Sequence, residues 1–190
     1  MLKELIDFVD SILPSVDPDF RDGVKDAITQ FEQDGGEYHY LSLSCLDVLS
    51  QGDIISKLPF SFFSDTGEQE LFISDAIVIS TSCHIDNKDR ILCAPVLPIT
   101  SFHKNMDSLK RNTIFNYMYI PDSLTASSFI DFDTVNSYSK QMIMEGIEKE
   151  KIVRKASLSQ LGYYVLIIKL SVYLMRREDS DTLSARDSSL

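Results

Sequence analysis

Hydrophobic positions along the chain change their period twice. Leu2, Leu5, Ile6, Val9, Ile12 and Leu13 recur at helical spacing and stop at Pro14. Phe20, Val24, Ile28 and Phe31 form a second stripe between an Asp17-Pro18 cap and Gly35-Gly36. The pattern predicts an N-terminal helical hairpin over residues 1–37. From Tyr38 the runs shorten to strand length, near Tyr38–Ser44, Asp53–Leu58, Glu70–Ile73, Ala76–Ser82, Arg90–Leu97, Ile114–Ile120 and Phe129–Phe132. Gly52, Asp65-Thr66-Gly67 and Asp86-Asn87-Lys88-Asp89 supply the turn chemistry between them. Ala76-Ile77-Val78-Ile79 is apolar on both faces, as in a central strand. Short strands so spaced predict a small β-barrel over residues 38–137. A turn or two of helix is expected at His103–Arg111.

The last third returns to helix over residues 138–178. Met142, Ile143, Met144 and Ile147 mark one helix, and Ser157 or Ser159 caps another running to about Arg177. On that final helix Leu158, Leu161, Val165, Ile168, Val172 and Met175 share one face, while Tyr164, Ile167, Leu170 and Leu174 cover another. A helix apolar that far round is buried on more than one side. Residues 179–190 lack an apolar face and are expected to form a loose tail. The fold class expected is α+β, a barrel flanked by helices.

Composition adds bounds. With 190 residues, 44% hydrophobic and 25% charged, the chain is ordinary for a globular domain. Its longest apolar run, Leu161–Met175, is interrupted by Lys169 and is shorter than the ~20 residues of a membrane span. Three cysteines make no disulfide framework, which points to a reducing cytoplasm. The net charge is −11. Residues 151–190 hold seven basic and four acidic residues, so residues 1–150 carry −14. Such a body repels phosphate backbones, disfavours generic nucleic-acid binding and suits a basic partner or a mimic of DNA.

The densest polar cluster, Ser80-Thr81-Ser82-Cys83-His84-Ile85-Asp86-Asn87, follows the central strand, where a scaffold presents functional groups. Cys83 and His84 suggest a nucleophile and base, but neighbours on an extended chain point to opposite faces. Cys83, Cys93 and His103, with Cys45 or His84, contain the ligand types for zinc but no Cys-x-x-Cys knuckle. No metal site is assigned and no cofactor is implied. Asp131 and Asp133 share a strand face, as a solvated edge or an acid–base pair.

Four segments fall in an order that carries a resemblance: Gly52-Asp53-Ile54-Ile55, Gly67-Glu68, Ala76-Ile77-Val78-Ile79-Ser80, and Leu92-Cys93-Ala94-Pro95-Val96-Leu97-Pro98-Ile99-Thr100. Over Gly52–Thr100 the chain resembles the MazF/PemK family of toxin ribonucleases, which implies an SH3-like barrel. Thr81–Asp86 is also similar to a Thr-Cys-Asp turn in bacterial relatives encoded near phage-defence genes. The resemblance implies an assisting hydroxyl at Ser80, Thr81 or Ser82. The family's basic residue before the central strand falls on Ser74-Asp75, so the cation is missing there, with Lys88 or Arg90 in the following loop as the substitute.

Two readings follow. The first is a non-enzymatic interaction module, a small subunit or regulator in a bacterial conflict system, either phage defence or toxin–antitoxin. Its contact residues would be His84 and Asp86, with Leu161, Val165, Ile168 and Val172 docking a protein partner or a second copy through the C-terminal helix. The alternative is a metal-independent endoribonuclease toxin using Thr81, Ser82 and Arg90. An acidic, phage-encoded DNA mimic is a third reading, resting on charge.

Overall fold

The computed structural model describes residues 40–42, 44–121, 127–174 and 180–187. The expected helical hairpin over 1–37 lies outside the described residues. The strands are β1 (Leu41–Ser42), β2 (Asp53–Phe63), β3 (Gln69–Val78), β4 (Arg90–Pro98), β5 (Tyr117–Ile120), β6 (Ser128–Asp131), β7 (Asn136–Ser139) and β8 (Arg154–Leu158). The helices are α1 (Ser82–Asn87), α2 (Met106–Lys110), α3 (Lys140–Glu148), α4 (Gln160–Leu174) and α5 (Ser180–Asp187). The strands form one antiparallel sheet in the order β1-β8-β2-β3-β4-β6-β5, with β7 beside β4.

The barrel expected from the sequence is not closed: among the described residues no ladder joins β1 to β5. The sheet curls instead. In β2 the register slips between Ile55 and Leu58, where Lys57 takes a left-handed φ of 58° and the strand bends. From β7, the Asn136 amide bonds both the N–H and C=O of Ser61, at 2.8 and 3.1 Å, and the Tyr138 hydroxyl donates to Pro59 O at 2.8 Å. Side chains thus make the β7-to-β2 approach that a ladder would make in a closed barrel.

Helices cover both faces. On one, Leu166 of α4 joins Ile54, Ile77, Ala94 and Ile130, with Leu161, Val165, Leu170 and Tyr173 packed alongside. Gly162 permits this approach, because a Cβ there would collide with the backbone carbonyl of Tyr40. On the other, Ile143 of α3 packs with Ile55, Ala76, Cys93 and Tyr138. Burying each large aliphatic side chain in these layers contributes about 1.5–3 kcal/mol. No helix among the described residues is long and apolar enough to cross a membrane.

The structure departs from the sequence reading where polar residues are paired inside the sheet. Glu70–Ile73 and Ala76–Ser82 belong largely to one strand, because Ser74 donates to Val96 O and Asp75 meets Lys155 Nζ at 2.5 Å. β8 falls within the 138–178 stretch read as helical, with no strand expected there; its Arg154 and Lys155 are paired with Asp53 and Asp75. The helix cap falls at Ser159, whose Oγ accepts from Gly162 N. The cluster after the central strand is the helix α1 rather than a turn, and the expected loose tail contains α5.

Candidate functional site

The corner built by α1 holds Ser80, Thr81, Ser82, His84, Asp86 and Arg90, all singled out from the sequence. Thr81 is the N-cap, its Oγ1 accepting from His84 N at 3.3 Å, and Ser82 opens the helix. Ser80 Oγ accepts from Leu92 N at 2.9 Å, tying the corner to β4. Arg90 opens β4 with its guanidinium turned to β7, where Nε and Nη2 donate to Ser137 Oγ and O at 3.0 and 2.6 Å. No hydrogen bond joins Arg90 to Thr81 or Ser82 among the described residues. His84 and Asp86 are exposed, and the Asp86 carbonyl accepts from Lys140 Nζ at 3.1 Å. Polar groups here are largely taken up by caps and strand ends.

The cysteines are dispersed. Cys93 is buried in β4, where burial pushes its thiol up to about 12; Cys83 is exposed on α1, and Cys45 Sγ donates to Arg154 O. Among the described residues no three His, Cys, Asp or Glu side chains group so as to hold a metal ion.

Two buried charges serve the fold. Asp53 is fully buried, accepting from Arg154 Nη2 at 2.8 Å, Ser157 Oγ at 2.6 Å and Ser50 N at 3.0 Å. The same Arg154 nitrogen donates to the carbonyls of Leu46 and Val48, clasping the segment before β2 onto β8. Lys169 of α4 is buried and donates to the carbonyls of Asn112 and Ile114, and burial lowers its ammonium to about 8.

A different arrangement lies beyond α3 on the same face of the sheet. There the face is uncovered and forms an open cleft of about 590 Å³. One wall is the β2–β3 hairpin, with Phe62, Glu70 and Phe72. The other is an edge-to-face cluster of Phe102, Tyr117 and Phe129, ring centroids 5.3–5.5 Å apart. His103 and Lys104, on the loop before α2, line it too. Lys104 Nζ sits 5.5 Å from the Tyr117 ring centroid, a cation–π distance. Opposite Tyr117 in the β5–β6 register stands Asp131, which accepts from Asp133 N at 2.9 Å and Thr134 Oγ1 at 3.0 Å. Burial raises the Asp131 carboxyl above its ordinary value, against the pull of those hydrogen bonds and Lys104. Among the described residues the side chains of His103, Lys104 and Glu70 make no hydrogen bond or ion pair. The sequence singled out His103 for a zinc set and Asp131 for a carboxylate pair, not for this shared cleft.

No protein-family model matches the sequence, and none of the curated proteins does. Solved structures do align. An endoribonuclease in complex with its cognate antitoxin from a mycobacterial species matches over 70% of this chain and 100% of its own, at 8% identity and TM-score 0.42. Two crystal forms of the MazE–MazF complex from Deinococcus radiodurans match over 68% of this chain and 98% and 99% of theirs, at 16% and 17% identity and TM-scores of 0.41 and 0.40. The likeness is one of fold.

The leading sequence reading is corrected here. A non-enzymatic module rested on the apolar C-terminal helix as a contact surface, whereas the structures that align carry the names of an endoribonuclease and of MazE–MazF complexes, not of such a module. The helix has an intramolecular partner: Ile168 is buried, Leu161 and Val165 pack against the core, and Val172 is half-buried.

Proposed function

We propose that the chain is an RNA-cleaving protein whose substrate lies in the aromatic cleft, with His103 and Lys104 as its working groups. The observation that carries this is the pairing of stacking surfaces with an imidazole and an ammonium that the fold leaves without hydrogen-bond partners. Single-stranded RNA is held by bases stacked on aromatic rings and by cations on its phosphates, and this cleft offers both. Against the −14 charge of residues 1–150, Lys104 supplies this cleft with a cation beside Glu70 and Asp131.

The chemistry needs only side chains. A ribose 2′-oxygen attacks the adjacent phosphorus, forming the O2′–P bond as the P–O5′ bond breaks, and leaves a 2′,3′-cyclic phosphate and a 5′-hydroxyl. His103 takes the 2′-hydroxyl proton, and the leaving 5′-oxygen takes a proton from water. Lys104 stabilises the charge that builds on the phosphoryl oxygens. Thr81, Ser82 and Arg90 form the competing site within the same reaction. Incubating the purified chain with mixed-sequence single-stranded RNA in EDTA, and reading product ends by mass spectrometry, tests the proposal. Cyclic phosphate ends lost in His103→Ala are expected; intact RNA across varied sequences would overturn it.

A further inference from the structure

On the reading of the cleft as an RNA site, we infer that its hairpin wall selects a guanine base, with Phe62 as stacking platform and the Glu70 carboxylate as the reader of the base edge. Phe62 and Glu70 are register partners across β2 and β3, so their side chains leave the sheet on the same face, side by side. Phe72, two residues along from Glu70, braces Phe62 edge-on with centroids 6.1 Å apart. Phe62 keeps 40% of its surface exposed although it lines a cleft, which leaves a ring face open to a ligand. The Glu70 carboxylate has no hydrogen bond or ion pair among the described residues, whereas that of Asp131 across the cleft already accepts two hydrogen bonds. An acceptor is therefore free beside an open aromatic ring.

The identity of the base follows from hydrogen-bonding inventories. A carboxylate offers acceptors and no donor. Guanine alone among the four RNA bases presents two adjacent donors on its Watson–Crick edge, N1–H and N2–H, which one carboxylate meets in parallel. Adenine and cytosine place an acceptor beside their single amino donor, and uracil flanks its one N–H with two carbonyls, so each sets oxygen or nitrogen lone pairs against Glu70. An arginine side chain has the same two-donor edge; of the two, the RNA segment alone also brings a phosphate for Lys104, which lines this cleft beside Glu70 and Asp131.

The test is fluorescence anisotropy with labelled 2′-O-methyl octamers, which cannot be cleaved, of uridines with one central guanosine, adenosine, cytidine or inosine. The guanosine octamer is expected to bind about tenfold or more tighter than the adenosine, cytidine and all-uridine ones, a typical reward for a bidentate pair. Inosine, lacking N2–H, falls between. Glu70→Gln is expected to bring the guanosine octamer down to the others, and Phe62→Ala to weaken all of them, with thermal unfolding as the check on folding. Glu70 is exposed, so its variant carries the test even if Phe62→Ala fails to fold. Equal affinity for all octamers, or a guanosine preference surviving in Glu70→Gln, overturns the inference while leaving the RNA reading in place. If no octamer binds, the RNA reading falls and takes this one with it. An arginine-rich peptide that binds in place of RNA, and is lost in Glu70→Gln, would assign the wall to a protein partner and overturn it equally.

Discussion

The α1 corner and the aromatic cleft are the two polar surfaces that compete for function, and they differ in what their side chains already hold. At the corner, Thr81 caps a helix, Ser80 bonds β4 and Arg90 is anchored on Ser137. In the cleft, His103, Lys104 and Glu70 stand among rings without hydrogen-bond partners among the described residues. A group already satisfied by its own fold loses that bond when a ligand displaces it, so the net gain on binding is small. A group held open beside an apolar surface has only water to exchange. Density of polar residues in sequence therefore marks the corner, while availability in space marks the cleft.

Variants that separate polar groups serving the fold from groups left for a ligand test this contrast, and the largest effect belongs to the buried clasp. Arg154→Met strands the fully buried Asp53 carboxylate with only Ser157 and Ser50 as donors. Removing one partner of a buried pair costs about 3–5 kcal/mol. Urea unfolding measures it; a loss below about 1 kcal/mol would show that the clasp is not a fold element.

Next comes Lys169. Its folded ammonium is depressed from 10.5 to about 8, so between those values the unfolded chain binds more protons than the folded one. Stability must then rise with pH across that window, and at lower pH the protein carries a buried charge. Relative to Lys169→Met, the wild type should gain up to about 3 kcal/mol between pH 8 and 10.5. The difference between the two proteins removes the opposing contribution of Cys93, whose raised pKa destabilises the fold as pH passes the ordinary thiol value. A flat difference across the window would contradict the assignment.

A smaller loss is expected at the corner. Thr81→Ala removes the cap of α1 and should cost about 1 kcal/mol, with any RNA cleavage retained in the folded protein. His103→Ala should be smallest of all in chemical denaturation, within about 0.5 kcal/mol, because its side chain makes no hydrogen bond among the described residues. A large loss of stability in His103→Ala would move that residue from the ligand's side of the contrast to the fold's.

The sequence disclosed elements whose pattern matched their surroundings. The apolar Ala76–Val78 core of β3 and the stripe of α3 behind the Ser139 cap are both in place. It concealed those where charge is neutralised at long range. Nothing local pairs Arg154 with Asp53, 101 positions earlier, or Lys155 with Asp75, 80 positions earlier. β7, Asn136-Ser137-Tyr138-Ser139, reads as a polar loop because its ladder partner is the distant β4 and its side chains bond β2 some 75 residues earlier in the chain. The cleft was hidden for the same reason: Phe62, Glu70, His103, Lys104, Tyr117 and Asp131 come from separate segments, and the sheet register gathers them. Asp131 and His103 could be noticed singly, but nothing local says they share a wall.

The most direct test of the contrast is the initial rate of single-stranded RNA cleavage in EDTA by wild type, His103→Ala, Lys104→Ala, Thr81→Ala and Arg90→Ala, each shown to be folded by its thermal transition. The account predicts losses of about a hundredfold or more in the two cleft variants, typical of removing an acid–base or electrostatic group, with the two corner variants close to wild type. Cleavage that survives in both cleft variants and collapses in Thr81→Ala and Arg90→Ala would contradict it.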